Sequence, residues 1–296
     1  MAIPPVSGPV IETLDSSNIN RLRLGWWSRF GSSEVEATLA AEPGLSVWIP
    51  AEHEYLIAGA WRNRTEVTHI VELVAIRNPA ELISASVDRS RQLGKRLFLA
   101  IEANDRRNPA FYERCGLEPL EEVIAYERSR SRTHAAPEPG TFQRVQHLDP
   151  VAGAELIAID HDAFPWLWRN TPIEFQEYLH QHGVEIYLLR HEGEAVAYVG
   201  ISMYHGWGHI DRVAVMSAAQ GRGFGRQLTE FAIHRLTELG ANTIGLSTQS
   251  RNFRSQALYE KLGFRRKVAG EYRIYGALLW ADDTLDYVVT GFNRNE

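Results

Sequence analysis

The feature that most restricts the fold of this 296-residue chain is an internal repeat. Residues 109–127 (PAFYERCGLEPLEEVIAYE) resemble residues 256–274 (QALYEKLGFRRKVAGEYRI), with a Tyr-Glu pair and a glycine matched at a constant offset of 147 residues. Upstream, ELVAI at 72–76 matches DRVAV at 211–215 at an offset of 139. Because the matches occur in the same order in both halves, the sequence predicts two copies of one fold.

The two copies differ in one segment. The first copy has 18 residues from Arg77 to Gly94, whereas the second has 25 from Met216 to Gly240, so the first copy is 7 residues shorter. The difference falls where the second copy reads Gln-Gly-Arg-Gly-Phe-Gly at 220–225. The matching stretch of the first copy, RNPAELISASV, contains no glycine. The first copy has therefore lost the glycine-rich segment that the second copy keeps.

A polar segment at residues 129–140, SRSRTHAAPEPG, separates the two copies. Its two prolines and its lack of apolar periodicity are typical of an interdomain linker. We therefore predict two domains, at residues 1–135 and 141–296, of which the first is the degenerate copy. The length of the chain also agrees with about two domains.

The second copy alternates predicted strands and helices. Asp149 and Thr171, each followed by proline, predict the starts of two helices. Three strand-like runs follow, and then an amphipathic helix that ends at Gly240, a residue type favoured just after a helix. A strand, a short helix and a last strand complete the pattern. Strands that come first and then alternate with helices predict a mixed α/β (α+β) sheet.

The composition argues against several classes of protein. The net charge of −6 is unlike that of a general nucleic-acid binder, which is usually basic. The sequence contains no run of about 18 apolar residues, so we expect no membrane span. The N-terminal residues also lack the basic and then apolar pattern of a signal peptide. Cys115 is the only cysteine, so no intrachain disulfide can form, and this favours a cytoplasmic location.

A glycine-rich segment lies between a predicted strand and a predicted helix. Its members are Gln220, Gly221, Arg222, Gly223, Phe224, Gly225 and Arg226. Glycine lets backbone amides approach a ligand closely, and a helix N-terminus adds partial positive charge. With two arginines beside it, the segment predicts a pyrophosphate site. Its spacing differs from the Rossmann fingerprint, and the Lys-Ser/Thr of a P-loop is absent. A flexible turn is the alternative.

The segment VAVMSAAQGRGFG, followed by a helix, a strand and N-x-x-x-x-A-L-Y-E-K-L-G-F, resembles the GNAT superfamily of N-acetyltransferases. The pyrophosphate loop of that family, Gln/Arg-x-x-Gly-x-Gly/Ala, is matched by Gln220, Gly223 and Gly225. The similarity is strong over residues 195–266, and with the first copy the chain resembles a tandem GNAT protein. The resemblance implies two domains, each with a mixed, mostly antiparallel twisted sheet flanked by helices. It also implies acetyl-CoA as the cosubstrate of the second domain.

The same resemblance implies roles for residues around the coenzyme. The strand edge at Val213, Ala214 and Val215 would offer backbone amides to the pantetheine arm and to the acetyl carbonyl. Asn252 would lie near the coenzyme arm. Tyr259 would be the general acid that protonates the departing thiolate. A core aromatic on a helix face is the alternative for Tyr259.

An acceptor amine that is protonated at neutral pH needs a general base or a water path to bulk solvent. Asp211 lies on the strand before the glycine-rich segment, where the family often has an acid. His209 lies two positions away on the same strand face. Either residue could serve. A salt bridge with a neighbouring arginine is the alternative for Asp211, and a solvated or hydrogen-bonded strand residue is the alternative for His209.

The remaining candidate side chains are aromatic residues, histidines and the cysteine. Phe164, Trp166 and Trp168 lie where the family has a wall of the acceptor pocket, and interdomain packing is the equal alternative. The histidine spacings, including that of His180 and His182, do not resemble a helical zinc motif, so we expect no metal. Cys115 has no evident base beside it, and burial is the favoured role.

The leading hypothesis is acetyl transfer from acetyl-CoA to a primary amine of a small molecule or peptide, by direct attack in a ternary complex. Two alternatives stay open: a non-catalytic coenzyme A-binding module, and a mycothiol-synthase-like transferase. We expect neither a nucleic acid nor a membrane as a partner. The sequence does not identify the acceptor, and it leaves a homodimer open.

Overall fold

The computed structural model of the chain describes residues 8–25, 28, 30–103, 110–129 and 142–280. These residues divide into two compact units. The first unit holds the described residues up to 102, with 110–120 and 274–280, and the second holds 103, 121–129 and 142–273. Residues 130–140 of the predicted linker lie outside the described residues.

The N-terminal copy contributes strands and helices in an order that the C-terminal copy repeats. Its strands are β1 (Glu12–Thr13), β2 (Val47–Ile49), β3 (Glu54–Trp61), β4 (Arg64–Val74), β5 (Leu97–Ala103) and β6 (Glu118–Ser129). Its helices are α1 (Ser32–Ala41), α2 (Pro79–Gln92) and α3 (Phe111–Arg114), with a 3-10 turn at Ile19–Arg21.

The C-terminal copy follows from residue 142. Its strands are β7 (Phe142–Val145), β8 (Val184–His191), β9 (Glu194–Tyr204), β10 (Trp207–Val215), β11 (Thr243–Gln249), β12 (Arg265–Arg266) and β13 (Tyr272–Leu278). Its helices are α4 (Pro150–Ala163), α5 (Pro172–His180), α6 (Phe224–Glu238) and α7 (Phe253–Lys261). Shorter 3-10 turns span Trp166–Trp168, Ser217–Ala219 and Val268–Gly270.

Each unit is built on a mixed sheet. The strand order is β1-β2-β3-β4-β5-β13 in the first unit and β6-β11-β10-β9-β8-β7 in the second. β4 runs parallel to β5, and β10 runs parallel to β11, because α2 and α6 provide the crossovers that parallel neighbours need. The hairpins β3–β4 and β9–β10 are antiparallel, as are β8–β9 and β11–β6. The predicted mixed, mostly antiparallel sheet flanked by helices is confirmed.

The last strand of each copy lies in the unit formed by the other copy. β6 pairs antiparallel with β11, from Val123 opposite Gln249 to Ser129 opposite Thr243. β13 lies beside β5, and its fully buried Tyr275 packs against Tyr112, with ring centroids 5.4 Å apart. The compact units therefore differ from the predicted domains 1–135 and 141–296 in these two strands.

Local sequence explains the helices that support the second unit. Asp149 accepts hydrogen bonds from the first amides of α4, and Thr171 forms a capping box with Glu174 at the start of α5. The apolar face of α6 packs on the sheet through buried residues that include Leu228 and Leu236. α6 ends where Gly240 takes a φ of +94°, a conformation that glycine adopts without strain.

No helix that the structure describes combines the length and the apolar character needed to cross a membrane.

The strand exchange yields a prediction for Tyr275→Ala. Removing a fully buried aromatic ring leaves a cavity and lowers the free energy of unfolding by about 3–5 kcal/mol. Because Tyr275 packs in the first unit, we expect amide hydrogen exchange to lose protection in β5 and to keep it in β8. Tyr204→Ala is the control, since Tyr204 is 70% exposed. Unchanged protection of β5 in the Tyr275 variant would contradict the exchange.

Candidate active site

The parallel strands β10 and β11 separate before either of them ends. Their pairing stops at Ile210 and Leu246, although β10 continues to Val215 and β11 continues to Gln249. The backbone groups on one edge of β10 are thus left without a strand partner over its C-terminal half. The two strands leave a gap that opens toward the glycine-rich segment, which follows β10.

A β-bulge lies at the point where the strands separate. On its other edge β10 pairs with β9, and the register shifts between Ile210 and Arg212, so Asp211 is the extra residue. A bulge bends its strand and increases the local twist. It also places two consecutive side chains on one face of the sheet. The contacts show this, since Asp211 contacts Tyr178 of α5 and Arg212 contacts Asp160 of α4.

Two amides of β10 point into the gap. The amide of Met216 donates to the carbonyl of Val196, 2.9 Å away, which fixes the phase of the β9–β10 ladder. Hydrogen-bonded pairs alternate along an antiparallel ladder, so Ala214 bonds to β9 while Val213 and Val215 turn their amides away from it. Of the three predicted strand-edge residues, Val213 and Val215 offer amides to the gap, and Ala214 does not.

The glycine-rich segment forms the tight connection from β10 to α6. Gly221 and Gly223 have φ angles of +79° and +88°, a region in which residues with a Cβ are strained. Gly223 is the N-cap of α6 and supplies no side-chain cap. The first amides of α6 are therefore open to an anion, in the partial positive field of the helix N-terminus. Gly225 lies in the first turn, where a Cβ would make only ordinary contacts.

Three exposed arginines surround this loop. Arg222 donates to Nε2 of His191 at 2.7 Å and lies over the ring of Phe224. Arg226 pairs with Glu230 one turn along α6. Arg254, which the sequence analysis did not single out, donates to Oε1 of Gln220 at 3.3 Å. The predicted loop residues thus lie together, with guanidinium groups close to the open amides.

Tyr259 and Asn252 lie on α7. Tyr259 is buried against Tyr126 and Phe264, and it shares a hydrogen bond with Ser255. Burial raises the pKa of its phenol to about 12, although the hydrogen bond with Ser255 acts in the opposite direction. Asn252 caps α7, because its side-chain oxygen accepts from the amide of Ser255. Both residues therefore have structural roles that coexist with any contact to a ligand.

His209 and Asp211 form one hydrogen-bonded group. Nδ1 of His209 lies 2.7 Å from Oδ1 of Asp211. The same oxygen accepts from Ser202 at 3.0 Å, and the other carboxylate oxygen accepts from Tyr178. Since a carboxylate only accepts, Nδ1 of His209 is the donor, and in the neutral imidazole Nε2 carries the lone pair. The two residues predicted as alternative bases are thus joined in one hydrogen-bonded group, the His209–Asp211 relay, whose outer nitrogen is Nε2 of His209.

The ring of His209 packs against Trp207 on the same strand and against Gly245 on the neighbouring strand β11. Trp207 packs against it with ring centroids 5.1 Å apart. Beneath both rings lies Gly245 of β11, where a Cβ would come within 2.7 Å of Trp207 and 3.1 Å of His209. The absence of a side chain at residue 245 lets both rings lie flat against the sheet beside the gap.

A buried ion pair supports the bulge. Nε of Arg212 lies 2.7 Å from the fully buried carboxylate of Asp160, which also accepts from Tyr198 at 2.5 Å and from the amide of Asn170 at 2.7 Å. Burial disfavours the charge of Arg212, but Tyr198 and Asp160 outweigh it and raise the pKa of Arg212 above its usual value. No motif of the sequence indicated this pair. An aspartate inside the apolar run LIAID was the signal that could have revealed it.

Arg212 also holds the aromatic segment between α4 and α5. Its guanidinium lies 3.9 Å from the ring centre of Phe164 and donates to the carbonyl of Trp168. These residues therefore pack within the second unit, next to the strand that carries Asp211.

The other candidates lie away from this site. Cys115 is half-buried and follows α3, in the first unit. Nδ1 of His180 bonds to a backbone carbonyl of its own helix. Among the described residues no three His, Cys, Asp or Glu side chains are grouped as metal ligands.

Comparison with known proteins supports the similarity that the motifs indicated. Residues 153–264 match the model of the acetyltransferase (GNAT) family. This part of the chain belongs to the GNAT family of acetyltransferases.

Curated relatives match over short segments. The chain is 41% identical over 56 residues to an uncharacterized N-acetyltransferase of Bacillus subtilis, YvbK, which is 19% of this chain and 36% of that protein. It is 44% identical over 59 residues to a mycothiol acetyltransferase of Mycobacteroides abscessus, which is 20% of each chain. The matches thus span about a third and a fifth of the length of these relatives.

Solved structures match over nearly the whole chain. A GCN5-related N-acetyltransferase from Sphaerobacter thermophilus is 14% identical, with a TM-score of 0.58 over 91% of this chain and 95% of that chain. A tandem GNAT protein from the clavulanic acid biosynthesis pathway is 11% identical, with a TM-score of 0.54 over 93% of this chain and 100% of that chain. At such identities the likeness concerns the fold.

In the first copy, an internal carboxylate binds the backbone amides between β4 and α2. The amides of Ile76, Arg77 and Asn78, which follow the strand matched to β10, donate to the carboxylate of Glu54 at 2.7, 2.7 and 2.9 Å. The side chain of Asn78 adds a fourth bond at 2.9 Å. An internal carboxylate thus takes the amides that a bound anion would need.

The first copy also keeps a carboxylate at the position matched to Asp211. Glu72 accepts from Tyr55 at 2.9 Å and from Ser28 at 3.0 Å. The duplication therefore preserved the carboxylate with hydroxyl donors around it, while the adjoining loop changed.

Glu54→Gln tests the internal anion. Burial alone would raise the pKa of Glu54, but the bonds from Arg77, Ile76 and Asn78 outweigh it, so the pKa lies below its ordinary value of 4.5. We expect the variant to lose about 1–3 kcal/mol of unfolding free energy near neutral pH. A carboxylate with a depressed pKa stabilises the fold above its unfolded pKa, and this contribution disappears as the pH falls through the folded pKa.

Urea unfolding at a series of pH values is the measurement, and the difference between variant and wild type should shrink below pH 4.5. Glu52→Gln is the matched control, since Glu52 only forms an exposed pair with Arg77. A pH-independent difference would show that Glu54 does not act through its charge.

Proposed function

We propose that the second unit is an N-acetyltransferase that transfers an acetyl group from acetyl-CoA to a primary amine of a small molecule or peptide. The observation that carries the proposal is the common location of three features at the gap between β10 and β11. These are the free amides of β10, the open amides of the glycine-rich loop and the His209–Asp211 relay. Direct attack in a ternary complex needs a thioester and an amine held side by side, and this arrangement provides for both.

The coenzyme would bind along the gap. The diphosphate fits the amides from Gly221 to the first turn of α6, where the glycines remove side chains and the arginines add charge. The pantetheine arm would then lie along β10 and take the place of the missing strand partner. In that position the amides of Val213 and Val215 can donate to the arm and to the acetyl carbonyl. Charge on the carbonyl oxygen grows as the tetrahedral intermediate forms, so such donors favour the transition state.

The amine would approach from the face that carries His209. Nε2 of His209 takes a proton from the ammonium group, and Asp211 stabilises the resulting imidazolium. The free amine attacks the acetyl carbon, the N–C bond forms, and the C–S bond breaks with its electron pair moving to sulfur. The second proton of the nitrogen is lost to solvent, the departing thiolate takes a proton from solvent, and His209 returns its proton to solvent. The products are the amide and the thiol of coenzyme A.

Tyr259 would assist the departure of the thiolate. Its pKa of about 12 lies above that of a thiol, which is about 8.5, so complete proton transfer to sulfur is uphill in the absence of coenzyme. A phenol of that acidity stabilises negative charge on sulfur by donating a strong hydrogen bond. We therefore propose that Tyr259 acts by this hydrogen bond, in place of the complete proton transfer that a general acid would make.

The acceptor class has a second candidate. The identity of 44% over 59 residues to a mycothiol acetyltransferase favours an acceptor like that of this relative. The net charge of −6 favours a small amine over a nucleic acid as the acceptor. The single cysteine favours a reducing compartment such as the cytoplasm. Thiol release from acetyl-CoA, measured across a panel of primary amines, separates these acceptors.

Binding of acetyl-CoA without turnover of any amine would support the non-catalytic module instead. The mass of the protein in solution would test for a homodimer.

Gly223→Ala tests the coenzyme site. At a φ of +88° a residue with a Cβ is disfavoured by about 1–2 kcal/mol, and the loop should rearrange away from the diphosphate. We expect calorimetry to show one acetyl-CoA site per chain in the wild type. The Gly223→Ala variant should bind acetyl-CoA at least about tenfold more weakly than the wild type. Gly240→Ala is the matched control, because Gly240 has a similar φ of +94° and open space at the other end of α6. Equal affinities in all three proteins would argue against the loop.

Tyr259→Phe tests the hydrogen bond to sulfur. We expect kcat to fall by about 10²-fold, with the KM for acetyl-CoA within about twofold, because the phenol acts only as charge develops on sulfur. Tyr126→Phe is the control: its ring neighbours Tyr259, but its hydroxyl is directed to Glu260. A maximal rate that stays at the wild-type value across pH would remove Tyr259 from the chemistry.

A further inference from the structure

We propose that Tyr178 is a positioning residue for proton removal, and that Gly200 is the position that admits it. In this arrangement Tyr178 holds Asp211, and Asp211 in turn orients the ring of His209. The inference rests on the proposed function, since it assigns His209 as the base. It adds two residues, one on α5 and one on β9, that no motif of the chain indicated.

The carboxylate of Asp211 is fixed at both oxygens. Oδ1 accepts from His209 at 2.7 Å and from Ser202 at 3.0 Å, whereas Oδ2 accepts from the hydroxyl of Tyr178. A carboxylate that is bonded at one oxygen alone can rotate about its Cβ–Cγ bond. A second anchor at the opposite oxygen sets the plane of the group, and with it the direction in which Oδ1 meets Nδ1 of His209.

The phenol of Tyr178 keeps its proton at neutral pH and donates it in the hydrogen bond to Asp211. Burial, followed by the charge of Asp211, raises the pKa of Tyr178 far above its ordinary value of 10.0. The hydroxyl therefore exchanges no proton during turnover. Its contribution is the direction of its hydrogen bond, which makes Tyr178 a positioning group and leaves proton transfer to His209.

Tyr178 reaches Asp211 by crossing β9 at a glycine. A Cβ at Gly200 would lie 3.0 Å from Oη, 3.2 Å from Cε1 and 3.4 Å from Cζ of Tyr178. Such contacts are tighter than those that side chains normally make, so any larger residue there must push the ring away. Gly200 is opposite Arg212, directly beside the bulge. The glycine, the bulge and the capped helix α5 together bring the hydroxyl to the carboxylate.

A double-mutant cycle tests whether Tyr178 acts through Asp211. We expect Tyr178→Phe to lower kcat by about tenfold, with the affinity for acetyl-CoA and the thermal midpoint unchanged. In an Asp211→Asn background, adding Tyr178→Phe should change kcat by less than about twofold, because the group that it positions is already gone. Equal losses in both backgrounds, or no loss in the wild-type background, would overturn the proposal.

Gly200→Ala tests the placement of the Tyr178 hydroxyl on Asp211 without removing any hydrogen-bonding group. The added methyl group displaces the hydroxyl of Tyr178, and we expect a loss of kcat similar to that of Tyr178→Phe. Gly153→Ala is the matched control: it adds the same methyl group to α4, where the new Cβ would meet Leu148 at an ordinary 3.6 Å. A Gly200→Ala enzyme with wild-type kcat would contradict the role given to residue 200.

Nitrogen NMR of His209 gives a readout that is independent of turnover. The wild type should show one tautomer, with the proton on Nδ1, and both Tyr178→Phe and Gly200→Ala should show mixed tautomers. A single unchanged tautomer in both variants would refute the positioning role even if the enzyme is active. If no amine is acetylated, the proposed function fails, and the NMR result still decides whether Tyr178 positions the relay.

Discussion

The β-bulge at Asp211 is the constraint on which the rest of the site depends. One extra residue in β10 ends its pairing with β11 after four residues of contact, and the second half of the strand is left with free amides on one edge. The same extra residue puts the side chains of Asp211 and Arg212 on one face. A single local irregularity therefore opens the gap in which we propose that the coenzyme binds, and it brings the proposed base to its entrance.

The bulge is held in place by groups that have no role in the proposed chemistry. Arg212 is half-buried, and its Nε donates to Asp160 and to the hydroxyl of Tyr198. A terminal nitrogen of its guanidinium donates to the carbonyl of Trp168 in the aromatic segment between α4 and α5. The fully buried charge of Asp160 is tolerated because it is paired and hydrogen-bonded, and loss of Arg212 would leave it unpaired. The network thus fixes the strand, the aromatic segment and helix α4 as one body around the relay.

The two copies show how one fold serves with and without an anion site. In the second copy, two glycines with positive φ and an uncapped helix leave amides open to a ligand. In the first copy, Glu54 accepts from the amides between β4 and α2, so their need for hydrogen bonds is met inside the chain. The first copy nevertheless contributes β6 to the sheet of the second unit, and β13 returns to the first. Neither sheet is complete without a strand from the other copy.

The sequence by itself determined the duplication, the order of strands and helices, the helix caps at Asp149 and Thr171, and the loop from Gln220 to Arg226. These features are local, because periodicity, capping and glycine spacing act between residues a few positions apart. Only the tertiary structure decided which amides of β10 are free, that His209 and Asp211 form one relay, that Arg212 pairs with Asp160 and that the last strands are exchanged. Each of these depends on register and on contacts between residues far apart in the chain. A single sequence can show that a buried charge needs a partner, as Asp160 does, but it does not show which residue lies beside it.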